Sequence, residues 1–169
     1  GWVLTWALLL VIALITRPLL PIDETRYVAA AWEMWTRGDF LVPHLNGETY
    51  SHKPPLMFWA IHAGWSLFGV NEWWPRLVSP LAGLAALFAA RALARKLWPD
   101  NNDAGLIVPW LLLGGLFWSL FTTVTMFDMW NVLFTTLGIC GLVTAAQGRA
   151  LPGFALLGLV HAKPRGGVA

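Results

Sequence analysis

Two adjacent carboxylates, Asp23 and Glu24, follow the first long apolar stretch of the chain. Beside a low-dielectric surface such a pair can act as a general base, bind a metal, or accept a hydrogen bond from a substrate hydroxyl. The same residues also suit a helix start, because Asp23 is a good N-cap and Glu24 is favoured by the helix dipole. The residues themselves leave the chemical and the structural interpretation open.

A second candidate segment reads Tyr50-Ser51-His52-Lys53-Pro54-Pro55. The prolines hold the backbone of Lys53 extended, and a cation fixed beside a membrane suits a lipid phosphate. His52 could bind a metal or carry a proton. An ordinary loop lysine and a solvated histidine are the alternative.

Asp128 is the third candidate. It is the single charged residue between Ala104 and Gly148, a stretch of 45 residues. Charge within hydrocarbon is costly, so this acid either has a function or lies in a turn among the headgroups.

These candidates belong to a chain with the composition of a membrane protein. Hydrophobic residues make up 57% and charged residues 12%, against roughly 45–50% and about 25% in soluble domains. The 12 tryptophans favour membrane interfaces. A net charge of +2 without a basic stripe argues against nucleic acid as a partner, and a single cysteine, Cys140, excludes an internal disulfide framework. We predict an all-α integral membrane protein in contact with membrane lipids.

The apolar segments predict about four complete spans and a partial fifth. The spans are expected at residues 1–21, 77–98, 104–125 and 129–147, with the partial one at 151–162. Residues 22–76 form a loop that holds six of the nine acidic residues. Two helices of this loop, at 24–37 and 55–68, are expected to lie on the membrane surface. Arg17, near the end of the first span, is expected to reach the headgroups.

The cations divide almost evenly between the two sides of the membrane, so they do not decide the orientation. We place loop 22–76 outside because its cations alternate with acids, whereas the three cations of residues 91–96 are typical of cytoplasmic flanks. Asp128 then falls on the outer side with the loop. Both termini interrupt apolar segments, so we expect the front part of a longer protein.

Four motifs in fixed order carry a family resemblance. They are Asp23-Glu24-x-Arg26-Tyr27, Gly38-Asp39-x-x-x-Pro43-x-x-Asn46-Gly47, Lys53-Pro54-Pro55-Leu56 and Phe68-Gly69-Val70-x-Glu72-x-x-x-Arg76-Leu77. With these motifs, residues 2–148 resemble the bacterial lipid A aminoarabinose transferases. More broadly, they resemble the polyprenyl-phosphate-sugar glycosyltransferases related to protein O-mannosyltransferases.

The resemblance implies a GT-C fold, a polytopic helical bundle with two interfacial helices in its first outer loop. It implies transfer of an aminoarabinose- or hexose-type sugar, with inversion, from an undecaprenyl-phosphate donor to a lipid A, glycan or protein acceptor. The reaction would take place at the periplasmic face of the bacterial inner membrane.

The resemblance also implies roles for single residues. Asp23 matches the family's catalytic aspartate, which activates or orients the acceptor, and Asp128 matches a second family acid. Lys53 matches a cation near the donor phosphate, with Arg26 assisting. The other substrate-binding candidates are Glu24, Tyr27, Tyr50 and Lys163, the last in an Ala-Lys pair that begins a family segment.

Two departures from the family pattern concern the cofactor and the C-terminal region. Close relatives carry Glu, a metal ligand, before Lys-Pro-Pro, where this chain has His52. Histidine also binds metals, so a divalent metal at His52 is the candidate cofactor, and no organic cofactor is expected. After Lys163 the chain leaves the pattern.

Two other functions fit a polytopic membrane chain. A transporter or flippase would carry charged or helix-breaking groups near the bilayer midplane, whereas here the charges concentrate at span ends and in loop 22–76. A non-catalytic fragment that packs within a membrane complex is the other alternative.

Overall fold

The computed structural model describes residues 1–101 and 103–148. Lys163 and the partial fifth span at 151–162 lie outside the described residues. Seven helices and one short hairpin make up the described part: α1 Trp2–Thr16, α2 Asp23–Arg37, β1 His44–Leu45, β2 Glu48–Thr49, α3 Leu56–Phe68, α4 Pro75–Leu97, α5 Ala104–Gly114, α6 Leu116–Phe121 and α7 Asp128–Ala146.

Helices α4 and α7 are the two helices of this part that are long and apolar enough to cross a membrane. They pack along one another, and small residues of α4 allow the close approach. At Gly83 an added Cβ would lie 2.4 Å from the Thr122 hydroxyl oxygen and 3.3 Å from the Met129 sulfur. This position therefore requires glycine for space.

The segment 104–125, expected as one continuous span, is instead broken at Gly115. Helix α5 ends at Gly114, Gly115 has an extended backbone, and α6 ends at Phe121. Adjacent glycines allow the break because each resists helical order more than other residues do, proline excepted. The Ser119 hydroxyl donates to the Leu113 carbonyl across it, at 2.5 Å.

Helix α2 has one buried face, formed by Tyr27, Ala30, Ala31 and Met34. It ends at Gly38, whose φ of +70° is the left-handed conformation that glycine adopts most easily. Its start differs from expectation: Asp23 is the first helical residue rather than the N-cap, and no side-chain cap bond forms. Ile22 precedes it at φ +79°, a strained conformation for a β-branched residue.

Two apolar clusters hold the elements together. The first joins α2, α3, the start of α4 and residues 126–130, and its largest members are Tyr27, Met34, Phe58, Trp65 and Phe127. The second joins α1, α4 and α5 through Trp2, Trp6, Leu10, Leu87 and Leu113. Burial of apolar area in the first cluster brings loop 22–76 onto the segment before α7.

Two arginines secure the end of α1. Arg76 donates to the carbonyls of Ala13 and Arg17, at 3.2 and 2.5 Å, which suits the negative end of a helix. The guanidinium of Arg17 pairs with Glu24 at 2.5 Å and donates to the Thr123 carbonyl at 2.7 Å, because a fully buried carboxylate requires a cation near it. That Arg17 also reaches the headgroups stays a prediction.

Candidate functional site

An open cavity of about 360 Å³ lies between α2 and the hairpin β1–β2. We call it the hairpin cleft, and its lining residues are Arg26, Leu45, Asn46, Glu48, Thr49, Tyr50 and His52. Three of the residues predicted from the sequence therefore share one cavity: Arg26, Tyr50 and His52. Its lining offers one guanidinium, one carboxylate, two hydroxyls, an amide and an imidazole, which suits a polar ligand such as a sugar.

The hairpin keeps its place through one carboxylate. The turn residues Asn46 and Gly47 have φ of +56° and +86°, as a tight type I′ hairpin turn requires. The Gly47 N–H donates to Glu33 Oε1 at 2.9 Å, and Arg37 donates to the same oxygen at 2.6 Å. Glu33 on α2 thus fixes the hairpin wall of the cleft.

Tyr27 lies where the other predicted residues meet. Its side chain is buried, and its ring meets the edge of Phe127 at 5.1 Å between centroids. Burial raises the pKa of its phenol, and neighbouring Tyr50 and the charges of Asp23 and Asp128 raise it further, whereas Arg26 lowers it. The charges of both predicted catalytic acids thus contribute to the raised pKa of this phenol.

Lys53 approaches the same place from the loop before α3. Its Nζ lies over the Phe127 ring, 5.5 Å from the centroid, in a cation–π contact. Phe127 directly precedes Asp128, the exposed first residue of α7. Lys53 and Tyr27 thus contact one aromatic ring, next to Asp128, so the structure brings cation and acids into one region.

Glu24 does not fit its predicted role in substrate binding. The side chain is fully buried. Oε2 accepts from Arg17 at 2.5 Å and from the Leu20 N–H at 2.7 Å, while Oε1 accepts from the Thr125 N–H at 2.7 Å. Burial alone would raise its pKa, but the bonds from Arg17, Leu20 and Thr125 together lower it below the ordinary value. Both carboxylate oxygens are thus occupied by partners within the protein.

The described part of the chain supplies too few ligands for the metal site predicted at His52. The His52 side chain is exposed, its ring lies 5.5 Å from that of Tyr50, and Glu48 lines the same cleft. Across residues 1–101 and 103–148 no three His, Cys, Asp or Glu side chains come together as a metal site would require. Residues of the described part do not by themselves form such a site, and metal binding at His52 stays a prediction.

Sequence reasoning missed Phe127 and Thr125. The ring of Phe127 contacts both Tyr27 and Lys53. The N–H of Thr125 donates a hydrogen bond to Glu24, 101 residues earlier in the chain. Phe127 carries no signal beyond its place before Asp128. The Asn46–Gly47 turn, by contrast, was visible in the sequence, and the hairpin wall could have been inferred from it.

Comparison with known proteins gives a family match and a structural match. The family model for dolichyl-phosphate-mannose-protein mannosyltransferases matches residues 52–163. A Pseudomonas savastanoi undecaprenyl phosphate-alpha-4-amino-4-deoxy-L-arabinose arabinosyl transferase is 35% identical over 82 residues, which cover 48% of this chain and 15% of that protein. A Pseudomonas fluorescens protein of the same name is 38% identical over 108 residues, covering 59% of this chain and 20% of its own length.

The crystal structure of ArnT from Cupriavidus metallidurans bound to undecaprenyl phosphate superimposes with a TM-score of 0.79 at 25% identity. The match covers 96% of this chain and 31% of that one. Its apo state matches with a TM-score of 0.68 at 27% identity, over the same share of this chain. The chain thus spans about a third of the solved structure, and the curated matches cover a fifth or less of their proteins.

Proposed function

The chain belongs to the family of dolichyl-phosphate-mannose-protein mannosyltransferases and resembles ArnT among GT-C glycosyltransferases, and from that premise we propose a sugar transfer reaction for the full-length protein. The donor is an undecaprenyl-phosphate-linked sugar and the acceptor is lipid A, a glycan or a protein. Relatives named as aminoarabinose transferases favour an aminoarabinose-type sugar over a hexose. We place the protein in the bacterial inner membrane with this site facing the periplasm.

One observation carries the proposal: Lys53 and Tyr27 both contact the ring of Phe127. Phe127 directly precedes Asp128 at the start of α7, and Tyr27 lies about one helical turn after Asp23 on α2. The donor's lipid tail partitions into the bilayer, so its phosphate lies at headgroup depth. A lysine held at that depth binds a partly dehydrated phosphate more strongly than it would in water.

The proposed step is a single displacement with inversion at the anomeric carbon. An acceptor oxygen attacks C1 of the sugar, and the bond between C1 and the phosphate oxygen breaks. The electron pair of that bond leaves with undecaprenyl phosphate, and the proton of the acceptor passes to the Asp23 carboxylate. Asp128 orients the acceptor, while Lys53, assisted by Arg26, stabilises the negative charge of the leaving phosphate, the larger contribution.

The membrane arrangement is part of the proposal. Helices α1, α4, α5 with α6, and α7 would form four spans, and α2 and α3 would lie on the outer surface. Tyr50 and Tyr27 would face the sugar, and Lys163, outside the described residues, would add a further substrate contact. A divalent metal at His52 remains a candidate, and no step of the proposed reaction depends on it.

Mass spectrometry of lipid A and envelope glycans, from cells with and without the intact gene, tests the reaction. We expect one sugar addition to be lost with the gene and restored by the wild-type protein. The Asp23→Asn variant should insert in the membrane normally but restore nothing. Unchanged lipid A and glycans in the deletion strain would contradict the function, and near-normal transfer by Asp23→Asn would remove Asp23 from the mechanism.

The accessibility of loop 22–76 to a labelling reagent distinguishes a transporter from a transferase. A cysteine placed at Asn46, in the exposed turn of the hairpin, should react with a membrane-impermeant reagent from the periplasmic side at a steady rate. Reactivity that alternates with substrate between the two sides of the membrane would favour transport instead.

A further inference from the structure

Glu24 joins three parts of the chain that are distant in sequence. Its two carboxylate oxygens accept hydrogen bonds from Arg17 after α1, from the Leu20 N–H before α2, and from the Thr125 N–H, 101 residues further on. The side chain has 0% exposed surface. Charge-assisted bonds of this kind are roughly twice as strong as neutral ones. We call Arg17, Glu24 and residues 123–125 the clamp.

The clamp holds the backbone of the segment before α7 on two sides. Arg17, paired with Glu24, also donates to the Thr123 carbonyl at 2.7 Å, while Glu24 accepts from the Thr125 N–H. Next to the clamp, the buried Ser79 hydroxyl of α4 donates to the Met126 carbonyl at 2.7 Å. Residues 122–127 lie between α6 and α7, and the Thr123 carbonyl, the Thr125 N–H and the Met126 carbonyl are bonded by these side chains.

The positions of both predicted catalytic acids depend on the backbone that the clamp holds. Asp23 is the sequence neighbour of Glu24 on α2, and Asp128 follows directly after residues 122–127. A displacement of that segment would move Phe127 and Asp128 relative to Asp23 and Lys53. Misplacement of a catalytic group by about 1 Å can cost on the order of 10²-fold in rate.

We propose that Glu24 is a positioning residue: by holding residues 123–125 against the start of α2, it sets the placement of Asp128 relative to Asp23. This proposal rests on the proposed transfer reaction for its kinetic consequences, but its geometric consequence is independent of that reaction. Glu24 itself does not touch substrate, since both of its oxygens are occupied in the buried clamp.

The geometric test uses spin labels on the full-length protein in lipid. Exposed Thr25 of α2 and exposed Asn131 of α7 are changed to cysteine and labelled, with buried Cys140→Ala as background. In Glu24→Gln one carboxylate oxygen becomes an NH₂ group, which cannot accept from a backbone N–H. We expect a broader or shifted distance distribution. The exposed carboxylate Glu72, changed to Gln, serves as control and should leave the distribution unchanged.

The kinetic test is a double-mutant cycle between Glu24→Gln and Asp128→Asn. Alone, Glu24→Gln should lower kcat by about 10²-fold with little change in the donor KM. In the Asp128→Asn background the same change should have little further effect, because the group it places is already disabled. A merely structural role would lower the amount of folded enzyme equally in both backgrounds, and such additive losses would overturn the proposal.

Glu24→Asp keeps the test informative if Glu24→Gln folds poorly. Aspartate retains the charge but has a shorter reach, so we expect an intermediate distance distribution and an intermediate kcat. Label distributions identical to wild type in both variants would overturn the positioning role. Absence of transfer in the wild-type protein would instead contradict the proposed function and leave the spin-label result to decide the inference.

Discussion

The clamp and the region around the Tyr27–Phe127 pair use ionised side chains in opposite ways. In the clamp, Arg17 and Glu24 form an ion pair, and every oxygen of the carboxylate is bonded. Around the Tyr27–Phe127 pair, Asp23, Lys53 and Asp128 form no ion pair with any residue in the part of the chain that the structure describes. Partnered buried charge stabilises the fold, whereas charge without an ion-pair partner can bind a ligand.

This difference shows why adjacent acids have different roles. Asp23 and Glu24 follow one another in the sequence, yet successive residues of a helix point about 100° apart. One side chain is buried in the clamp, and the other is half-exposed near Tyr27. Substitutions in the clamp should therefore alter stability and, through the placement of Asp128, transfer, whereas substitutions at Asp23, Lys53 and Asp128 should alter transfer without a comparable loss of stability.

After Asp23→Asn, which should abolish transfer, the largest effect is expected at Lys53. In the full-length protein, Lys53→Met removes the cation proposed to stabilise the leaving phosphate, so kcat should fall by about 10²–10³-fold. Radiolabelled sugar transfer in membranes measures it. Lys96→Met is the matched control: Lys96 bonds to Thr144 at the far end of α4, and transfer should stay near normal. Equal losses in both variants would refute the role of Lys53.

A loss of stability is expected at Arg17. Arg17→Met leaves Glu24 buried without its cation, which should destabilise the fold by about 3 kcal/mol. Thermal unfolding in detergent, followed by tryptophan fluorescence, measures the change. The double variant Arg17→Met/Glu24→Gln removes both charges and should recover part of the loss. A double variant less stable than either single one would contradict the ion-pair account.

Lowering the pH should remove the stabilisation that Glu24 contributes through the clamp. The pKa of Glu24 is lowered in the fold below its ordinary value of 4.5. The unfolded state therefore binds the proton more readily than the folded state. The stabilisation is fully present above pH 4.5 and is lost as the pH falls through the folded pKa. Unfolding curves of wild type and Glu24→Gln should converge on acidification. Curves that stay parallel down to pH 3 would exclude this linkage.

The smallest effect is expected at Glu33. Glu33→Gln weakens the bonds to Arg37 and to the Gly47 N–H, and partly exposed pairs contribute about 1 kcal/mol or less. Stability should barely change, but the hairpin wall of the cleft should loosen, raising the KM for the sugar donor a few-fold. The measurement is donor saturation at fixed acceptor. A large fall in kcat instead would place Glu33 within the catalytic machinery.

The sequence predicted the family, because four motifs at fixed spacing leave few alternatives, and the family and structural matches confirm it. The sequence also located the first helix of loop 22–76, since Gly38 and the amphipathic spacing mark its end and its buried face. It missed the break at Gly115, because two glycines in an apolar run do not disturb its hydropathy.

Sequence patterns determined which residues are apolar, where most of the helices form and which charged groups are candidates for the site, because these are local properties of composition and spacing. Tertiary structure alone decided which of those charges hold the fold and which face the cleft. The reason is distance along the chain: Glu24 and Thr125, or Lys53 and Phe127, meet only after the helices have packed. Local sequence patterns do not predict such long-range contacts. The strength of each contact then depends on how deeply it is buried.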